Sequence, residues 1–538
     1  MGTRILIVDD IPEDLRRYTK ALLRNLSVQR WIPETPQAEV QLDVDGADTF
    51  SGALKKLKSQ PFDLFIVDLK IPGPDGREYG GLDLIEESMK LDALRPIIVV
   101  TGYGSVELAR KTLTKGVFDF IEKGSEDFKI KLLNAVNRAL ATQEEKIRRA
   151  GNPFILMTGG EPTVFGGRTS ELRFFEEKLH RTIHTQFREH FLILGDWGIG
   201  KSTLLQEYKK ICQSRGYLAA VVHLEALAPG ATPIEAARSI VEGVLRNLPY
   251  TVDRFKKLSA YFDSIGISVL GTGLQISRDT SKAELSAQAF LHDTLLNLWD
   301  DLEDKGEVLV LLLDDLGFFL PVSEIFMTLR QTLMMDRMRE ASILVGLTST
   351  PDDWRTLTAV KKHHPLARYF MVLATLMPLQ EEEVHDTINK SLAGTGVSFS
   401  EEVLAKVFEY TQGHPFEMQV LCHHLFRNQL SRRVEMDVWD KALQEALHQM
   451  GLAIFDLWFD QASTDEAKVL RLLAQEEEPI AQKQLRTQIQ QGKHAIKPGN
   501  IPRYVKRLAE KKLISKSGRG LYTIPDKMFR TYILARMV

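Results

Sequence analysis

The sequence predicts a multidomain α/β protein, and three observations carry that expectation. Over residues 1–140, short apolar strands ending in acids, a threonine or a lysine alternate with helical patterns. Residues 195–202 read GDWGIGKS, a Gly-rich turn between an apolar run and a helical one. From about Ser463, helix, helix, turn and helix lead into strand, Gly turn and strand. At 538 residues the chain is too long for one core. Its formal net charge of −3 supplies no global field that recruits nucleic acid or membrane. The charge is uneven, however: residues 479–538 hold 14 Lys/Arg against 2 Asp/Glu. Cys212 and Cys422 are too few for a disulfide framework or a cysteine zinc site. The N-terminal ILIV run meets Asp9 and Asp10 and is too short to span a bilayer, so the expectation is a soluble cytoplasmic protein without a signal peptide.

Taken in order, RILIVDD predicts a buried strand ending in Asp9 and Asp10, and DLFIVDLKIP one ending in Asp68. PIIVVTGYG ends in Thr101 and FDFIEKG in Lys123. Helical patterns fall near 12–26, 48–59, 81–91, 105–115 and 126–149. This alternation predicts a parallel sheet covered on both faces, with its chemistry at the carboxyl ends of the strands. Three acids there can hold Mg²⁺, a hard cation that prefers oxygen, and one carboxylate could attack a phosphoryl donor.

Residues 1–125 resemble the receiver domain of two-component response regulators, and VTGYGSVELA and FDFIEKG look most like receivers of the nitrogen-regulation type. The resemblance implies a flavodoxin-like fold and phosphorylation of Asp68 by a sensor histidine kinase. It also implies metal binding by Asp9, Asp10, Asp68 and the carbonyl of Lys70, with Thr101 and Lys123 on the phosphoryl group and Phe120 as switch aromatic. Gly124 stands where the family usually has proline, and GPDGREYGG beside Asp68 is longer than usual. ALATQEEKIRRAGN then extends the last receiver helix, giving a helical linker over 141–160 with charges spaced to pair at i,i+4.

GDWGIGKS fits G-x-x-x-x-G-K-[ST], preceded by the strand-like FLIL and followed by the helical TLLQEYKKICQS. Gly195, Gly198 and Gly200 let backbone N–H groups converge on phosphate, and the helix beginning near Lys201 adds its dipole. Lys201 would bridge the β- and γ-phosphates, and Ser202 would join the Mg²⁺ shell, with Thr203 beside it. VLVLLLDDL predicts a strand ending in Asp314 and Asp315, a metal contact and a water-activating acid. ASILVGLTST ends in Thr348 and Ser349, able to report on the γ-phosphate.

Together these motifs resemble AAA+ and STAND ATPases, nearest to the archaeal-type and origin-recognition ATPases. The resemblance implies ATP/ADP as ligand, a P-loop core over 161–380 and a helical lid over 381–450. GGRTSEL resembles an adenine-side GRxxEL motif, pointing to Gly167, Arg168, Glu171 and Leu172. TQGHPFEMQ resembles the lid's GHP motif, pointing to His414 as a phosphate contact and Pro415 as the start of a helix. Arg368 stands in an arginine-finger position. The acidic strand ends in Asp-Asp rather than the Asp-Glu of motors, which implies slow turnover and a switch. IGISVLGTGLQI around Gly271 predicts a β-hairpin.

Residues 451–538 resemble a winged helix-turn-helix. Ile501, Val505 and Leu508 share an inward face, while Arg503, Lys506 and Arg507 point elsewhere and Lys516 and Arg519 lie on the wing. Such basic residues would neutralise DNA phosphates. The leading expectation is a phosphorylation-gated ATPase switch that forms nucleotide-dependent homo-oligomers and regulates transcription through DNA. The alternative is a gated scaffold that assembles with protein partners, the winged helix serving as a brace. The Asp-Asp ending disfavours a DNA-remodelling motor. No GAFTGA-type loop is present, so contact with sigma-54 polymerase is not expected.

Overall fold

The computed structural model describes all residues except 1–2, 27, 33–34, 41, 61, 75, 92–94, 103–115, 126, 157–161, 163, 186–187, 249–253, 271–272, 277–285, 303–307, 360–363, 430–431, 492–497, 519 and 537–538. The helix expected over 105–115, Gly271 and Arg519 therefore lie outside the described residues. The chain divides into two compact units. One comprises residues 1–156, 381–413 and 417–538, and the other residues 157–380 and 414–416.

The first unit begins with a five-stranded parallel sheet in the order Leu42–Ala47, Thr3–Val8, Leu64–Val67, Ile97–Thr101, Asp119–Glu122. Successive side chains of a strand face opposite ways. Ile5, Ile7, Leu64, Ile66, Ile98 and Val100 accordingly pack with the helices Pro12–Asn25 and Phe128–Ala150. Leu6, Val8, Phe65, Val67, Ile97 and Val99 pack with Phe50–Ser59 and Gly81–Leu91. Burial on both faces explains why these strands read as unbroken apolar runs. The strand order reverses between Thr3–Val8 and Leu64–Val67, whose carboxyl ends carry Asp9, Asp10 and Asp68.

The same unit holds the helices Glu381–Leu392, Glu401–Thr411 and Trp439–Met450 and, from Glu417 on, the helix Pro415–Arg427, with a short parallel pair Ser398–Phe399 and Arg433–Val434. Farther on, a capping box of Ser463 and Glu466 opens the helix Thr464–Gln475. Helices Gln482–Gln491 and Ile501–Glu510 follow, with a three-stranded sheet in the order Ile480–Ala481, Leu521–Thr523, Ser515–Ser517. Gly518 and Gly520 turn the hairpin with φ of 65° and 78°. A last helix, Lys527–Ala535, closes the chain.

The second unit is built on a parallel sheet in the order Met371–Thr375, Phe191–Leu194, Ile343–Ser349, Leu309–Asp314, Leu218–His223. Helices including Lys201–Ser214, Pro233–Asn247 and Ala287–Asp300 cover it. An antiparallel hairpin joins Ile267–Leu270 to Gly273–Ile276.

Several elements differ from the sequence reading. The edge strand Leu42–Ala47, the hairpin Val28–Ile32 with Thr35–Val40, the lid's two-stranded pair and the final helix have no counterpart in it. The helix expected to fill the linker stops at Ala150, where Gly151 takes φ of 67°. Among the described residues no helix is long and apolar enough to cross a membrane.

Candidate functional sites

At the switch point of the first sheet, oxygens of Asp9, Asp10 and Asp68 lie within 4.8 Å of one another. Lys123 Nζ donates to Asp9 Oδ2 at 2.6 Å and to Asp68 Oδ2 at 2.7 Å, and lies 3.3 Å from Asp14. Asp9 and Asp68 are almost fully buried, whereas Asp10 is exposed and opens the cluster to solvent. Backbone N–H groups fix the carboxylates: Ile11 donates to Asp9 Oδ1 and Lys70 to Asp68 Oδ1, both at 3.0 Å. Burial raises the Asp9 pKa, against the opposing pull of Lys123. Burial lowers that of Lys123, but hydrogen bonds to Asp68 and Asp9 outweigh it and hold the ammonium charged. Three clustered carboxylates with one open side suit a hard divalent cation. Thr101 is fully buried at the end of the adjacent strand. Phe120 is half-buried against the apolar layer of Leu6 and Val8.

The long segment after Asp68 is folded back on itself. Gly80 N donates to Ile71 O at 2.7 Å and Gly73 N to Arg77 O at 2.8 Å. A Cβ on Gly81 would lie 2.3 Å from the Asp68 carbonyl oxygen, so glycine is required where this strap meets the end of the strand Leu64–Val67.

In the second unit, Gly198 and Gly200 adopt φ of 72° and 97°, and Gly200 precedes the helix Lys201–Ser214. Gly195 N donates to Ser349 O at 3.1 Å, tying the loop to the neighbouring strand. Lys201 Nζ donates to Gly195 O at 2.9 Å and Asp196 O at 3.0 Å. Burial lowers its pKa, against the pull of Asp315 and Asp314. Ser202 and Thr203 are half-buried in the first turn, and Ser202 bonds Asp314.

Thr348 organises the two acids. Its hydroxyl donates to Asp314 Oδ1 at 2.6 Å and accepts the Asp315 N–H at 2.8 Å. Its proton is thus committed to a carboxylate, while the buried Ser349 Oγ has no hydrogen-bond partner among the described residues. Burial raises the Asp314 pKa, but hydrogen bonds from His223, Ser202 and Thr348 prevail and hold it low. Burial raises the Asp315 pKa against Lys201. His223, at the end of the next strand, meets Asp314 Oδ2 at 2.9 Å. Asp353 is a further acid here: its Oδ2 would lie 2.7 Å from a Cβ on Gly317, and Asp315 Oδ1 3.5 Å from it. Neither His223 nor Asp353 was singled out from sequence. The signal for His223 was present, since LAAVVH is an apolar run that ends in a polar ring.

His414 Nε2 meets the Trp197 carbonyl at 3.0 Å, and Phe416 packs edge-on against Trp197 with centroids 4.9 Å apart. Arg168 is buried with φ of 59°; it donates to Ile199 O at 3.1 Å and lies 3.7 Å from Glu171. Its guanidinium braces the phosphate loop; Gly167 (φ 65°) turns the chain just before it, and Leu172 is half-buried in the following helix. Arg368 is exposed on the five-residue helix Pro365–Tyr369, ahead of the edge strand.

In the C-terminal region Ile501, Tyr504, Val505 and Leu508 are buried, and Arg503, Lys506, Arg507 and Lys516 are exposed. Tyr504 OH donates to Asp465 at 2.9 Å. Arg507 lies 3.9 Å from the buried Glu466, which Lys511 contacts at 2.6 Å.

A family model described as response regulator receiver domain matches residues 5–136, and one described as AAA ATPase domain matches residues 164–340. Response regulator protein PilR of Pseudomonas aeruginosa is 32% identical over 120 residues, 22% of this chain and 22% of that protein. The C4-dicarboxylate transport transcriptional regulatory protein DctD of the same organism is 26% identical over 229 residues, 42% of this chain and 44% of that protein. The matches thus span less than half the length of these relatives. Among solved structures, the Walker-type ATPase paby2304 of Pyrococcus abyssi aligns with a TM-score of 0.46 at 16% identity, covering 71% of this chain and 100% of that one.

Proposed function

We propose that this chain, which carries a response regulator receiver domain fused to an AAA ATPase domain, is a phosphorylation-controlled nucleotide switch whose output is DNA binding and transcription regulation. One observation carries the reading: Lys123 bridges Asp9 and Asp68, with Asp10 open beside them, at the topological switch point of a parallel sheet. An Asp68 oxygen forms a bond to phosphorus as the donor's bond to phosphorus breaks, the leaving group keeping the electron pair. With a sensor histidine kinase as donor, that leaving group is an imidazole nitrogen. Lys123 and the Thr101 hydroxyl stabilise the phosphoryl oxygens, and Asp9 and Asp10 with the Lys70 carbonyl hold the cation. Mg²⁺ bound there supplies neutralisation of the developing charge.

In the ATPase domain the loop N–H groups and Lys201 would cradle the nucleotide phosphates, Ser202 and Asp314 would hold its Mg²⁺, and Asp315 would orient water. Arg368 would act on a neighbouring subunit in a nucleotide-dependent homo-oligomer. The basic C-terminal helix and wing supply the DNA contact, and the description of DctD as a transcriptional regulatory protein supports that output. A second reading, a scaffold with protein partners, draws on the engagement of Arg507 and Lys511 by Glu466 and on the C-terminal helix. That helix packs Phe529 and Tyr532 against Phe455, and its Lys527 pairs with Glu409.

Acetyl phosphate with Mg²⁺ should label the wild type and leave Asp68→Asn unlabelled. Retained labelling in that variant moves the phosphoacceptor elsewhere and breaks the receiver reading. Absence of salt-dependent DNA binding by the phosphorylated, ATP-loaded protein leaves the scaffold.

A further inference from the structure

We propose that the receiver delivers its signal to the helical lid, which grips it at two points on one small parallel sheet, through Asp63 with Arg432 and through Phe154 with Phe399. All four residues belong to the first compact unit. The first grip is a buried ion pair: Arg432 Nε lies 3.1 Å from Asp63 Oδ1, with the two side chains 7% and 11% exposed. Asp63 is itself held by the sheet. Its Oδ2 accepts the Arg4 N–H at 2.8 Å, and its N–H donates to Arg4 O at 2.7 Å. Arg432 is held by the lid, its carbonyl accepting the Ser398 N–H at 2.7 Å.

The second grip uses the segment just after the receiver's last helix. Phe154 is 2% exposed and stacks on Phe399 at 6.0 Å, with Phe426 edge-on at 6.5 Å. Polar contacts surround it. Asn152 Nδ2 donates to His423 O at 3.0 Å, His423 Nδ1 donates to Phe154 O at 2.8 Å, and Ile155 N donates to Gln419 Oε1 at 3.2 Å. Ser398–Phe399 pairs in register with Arg433–Val434, so the grips meet at one small sheet, Phe399 within one strand and Arg432 immediately before the other.

The placement gives the pair a task. Asp63 immediately precedes the buried strand Leu64–Val67, and Asp68 immediately follows it. Phosphoacceptor and latch thus stand at opposite ends of one rigid strand. A buried ion pair is poised for this use, because separating its members takes from each buried charge its ionic partner at a high cost, which makes docking all-or-none rather than graded. Phosphorylation that shifts the strand works against the Asp63–Arg432 pair and releases the linker segment from Phe399. The latch stands whether or not the output is DNA.

Amide hydrogen exchange on the full chain tests it, read over residues 152–156 and 396–400. Arg432→Glu places two like charges together and should speed exchange in both segments about tenfold or more, whereas Arg432→Lys should stay within about threefold of wild type. Acetyl phosphate with Mg²⁺ should speed the same segments in wild type and add nothing in Arg432→Glu. Wild-type exchange in Arg432→Glu, or an equal acetyl phosphate effect in both proteins, overturns the latch. Labelling of Asp68, followed in the same samples, separates this outcome from failure of the receiver reading, since Arg432 lies outside the phosphorylation site.

Discussion

Gly198→Ala should open the contact between the GHP segment and the phosphate loop, and the size of the effect follows from two local quantities. Gly198 has φ of 72°, a backbone state that costs an L-residue about 1 kcal/mol. A Cβ there would stand 2.7 Å from His414 Cε1 and 3.1 Å from Phe416 Cβ. Ordinary contact begins at 3.4 Å, so the ring must retreat by 3.4 − 2.7 = 0.7 Å. That lengthens the 3.0 Å contact of His414 Nε2 with Trp197 O enough to lose a hydrogen bond with a net worth of about 1 kcal/mol. The sum is about 2 kcal/mol, or about 30-fold in the closed-to-open ratio. Stopped-flow release of a fluorescent ADP analogue should therefore quicken by about that factor, and His414→Ala alone by about fivefold. The double variant separates the causes. Once the ring is gone the clash is relieved, so it should release ADP no faster than Gly198→Ala. Strict additivity, about 150-fold, would show that Gly198 and His414 act independently and refute the argument.

Asp315→Ala should spare ATP binding and slow steady-state hydrolysis about 100-fold, the usual share of a positioned acid or base; turnover at the wild-type rate would remove Asp315 from the water-orienting role. Replacing Arg503 and Lys506 by alanine should flatten the slope of log affinity against log salt by about 2, since each phosphate contact contributes about 0.9. Arg507→Ala should add less, because Arg507 already faces Glu466 at 3.9 Å; an equal contribution from all three would contradict that ranking. His223 has its pKa raised above 6.5 by the hydrogen bond to Asp314, and Asp314 has its own lowered below 3.8. The stabilisation is full between those ordinary values and is lost as pH rises through the raised His223 value. The thermal stability of wild type over His223→Gln should therefore shrink as pH climbs from about 6 to about 9, and a constant difference would refute the coupling.

What was legible in the sequence was whatever burial or backbone geometry writes into local residue order. Ile97–Thr101 and Leu309–Asp314 are unbroken apolar runs because both sheet faces are covered, and their polar ends mark the sheet edge where ligands bind. GDWGIGKS announces itself because left-handed φ at Gly198 and Gly200 demands glycine. Leu42–Ala47 left no such trace. It lies at the sheet edge, only Ala47 is fully buried, and its acids pair with Arg4 and Lys56. The two-residue strands Ser398–Phe399 and Arg433–Val434 are too short for any period to show. The contact of His223 with Asp314, the place of Asp353 and the two hydrogen bonds of Thr348 were invisible for a different reason. Each depends on which strand ends lie side by side, and strand order is a tertiary fact. Arg168 shows the same limit: the motif drew attention to the residue, and only the fold reveals that its guanidinium faces the loop carbonyl of Ile199.

The acids at the end of Leu309–Asp314 bear on whether the ATPase is a motor or a timer. Asp315 sits at φ of 63°, and its N–H is held by the hydroxyl that donates its proton to Asp314. One side chain, Thr348, therefore fixes the Asp314 carboxylate and the backbone of the acid that follows it. Asp315 cannot advance toward a water by backbone adjustment without loosening Asp314. Its side chain is also one methylene shorter than the glutamate common in motors. Burial raises its pKa, which disfavours the carboxylate a water-activating role requires, while Lys201 opposes that shift. Lys201 is the same group that nucleotide phosphates would draw away from Gly195 and Asp196. Phosphate binding would thus draw away the positive charge that opposes the rise of the Asp315 pKa. In the proposed switch, a site so arranged is expected to hold nucleotide and cleave it slowly, which suits control by phosphorylation of the other domain.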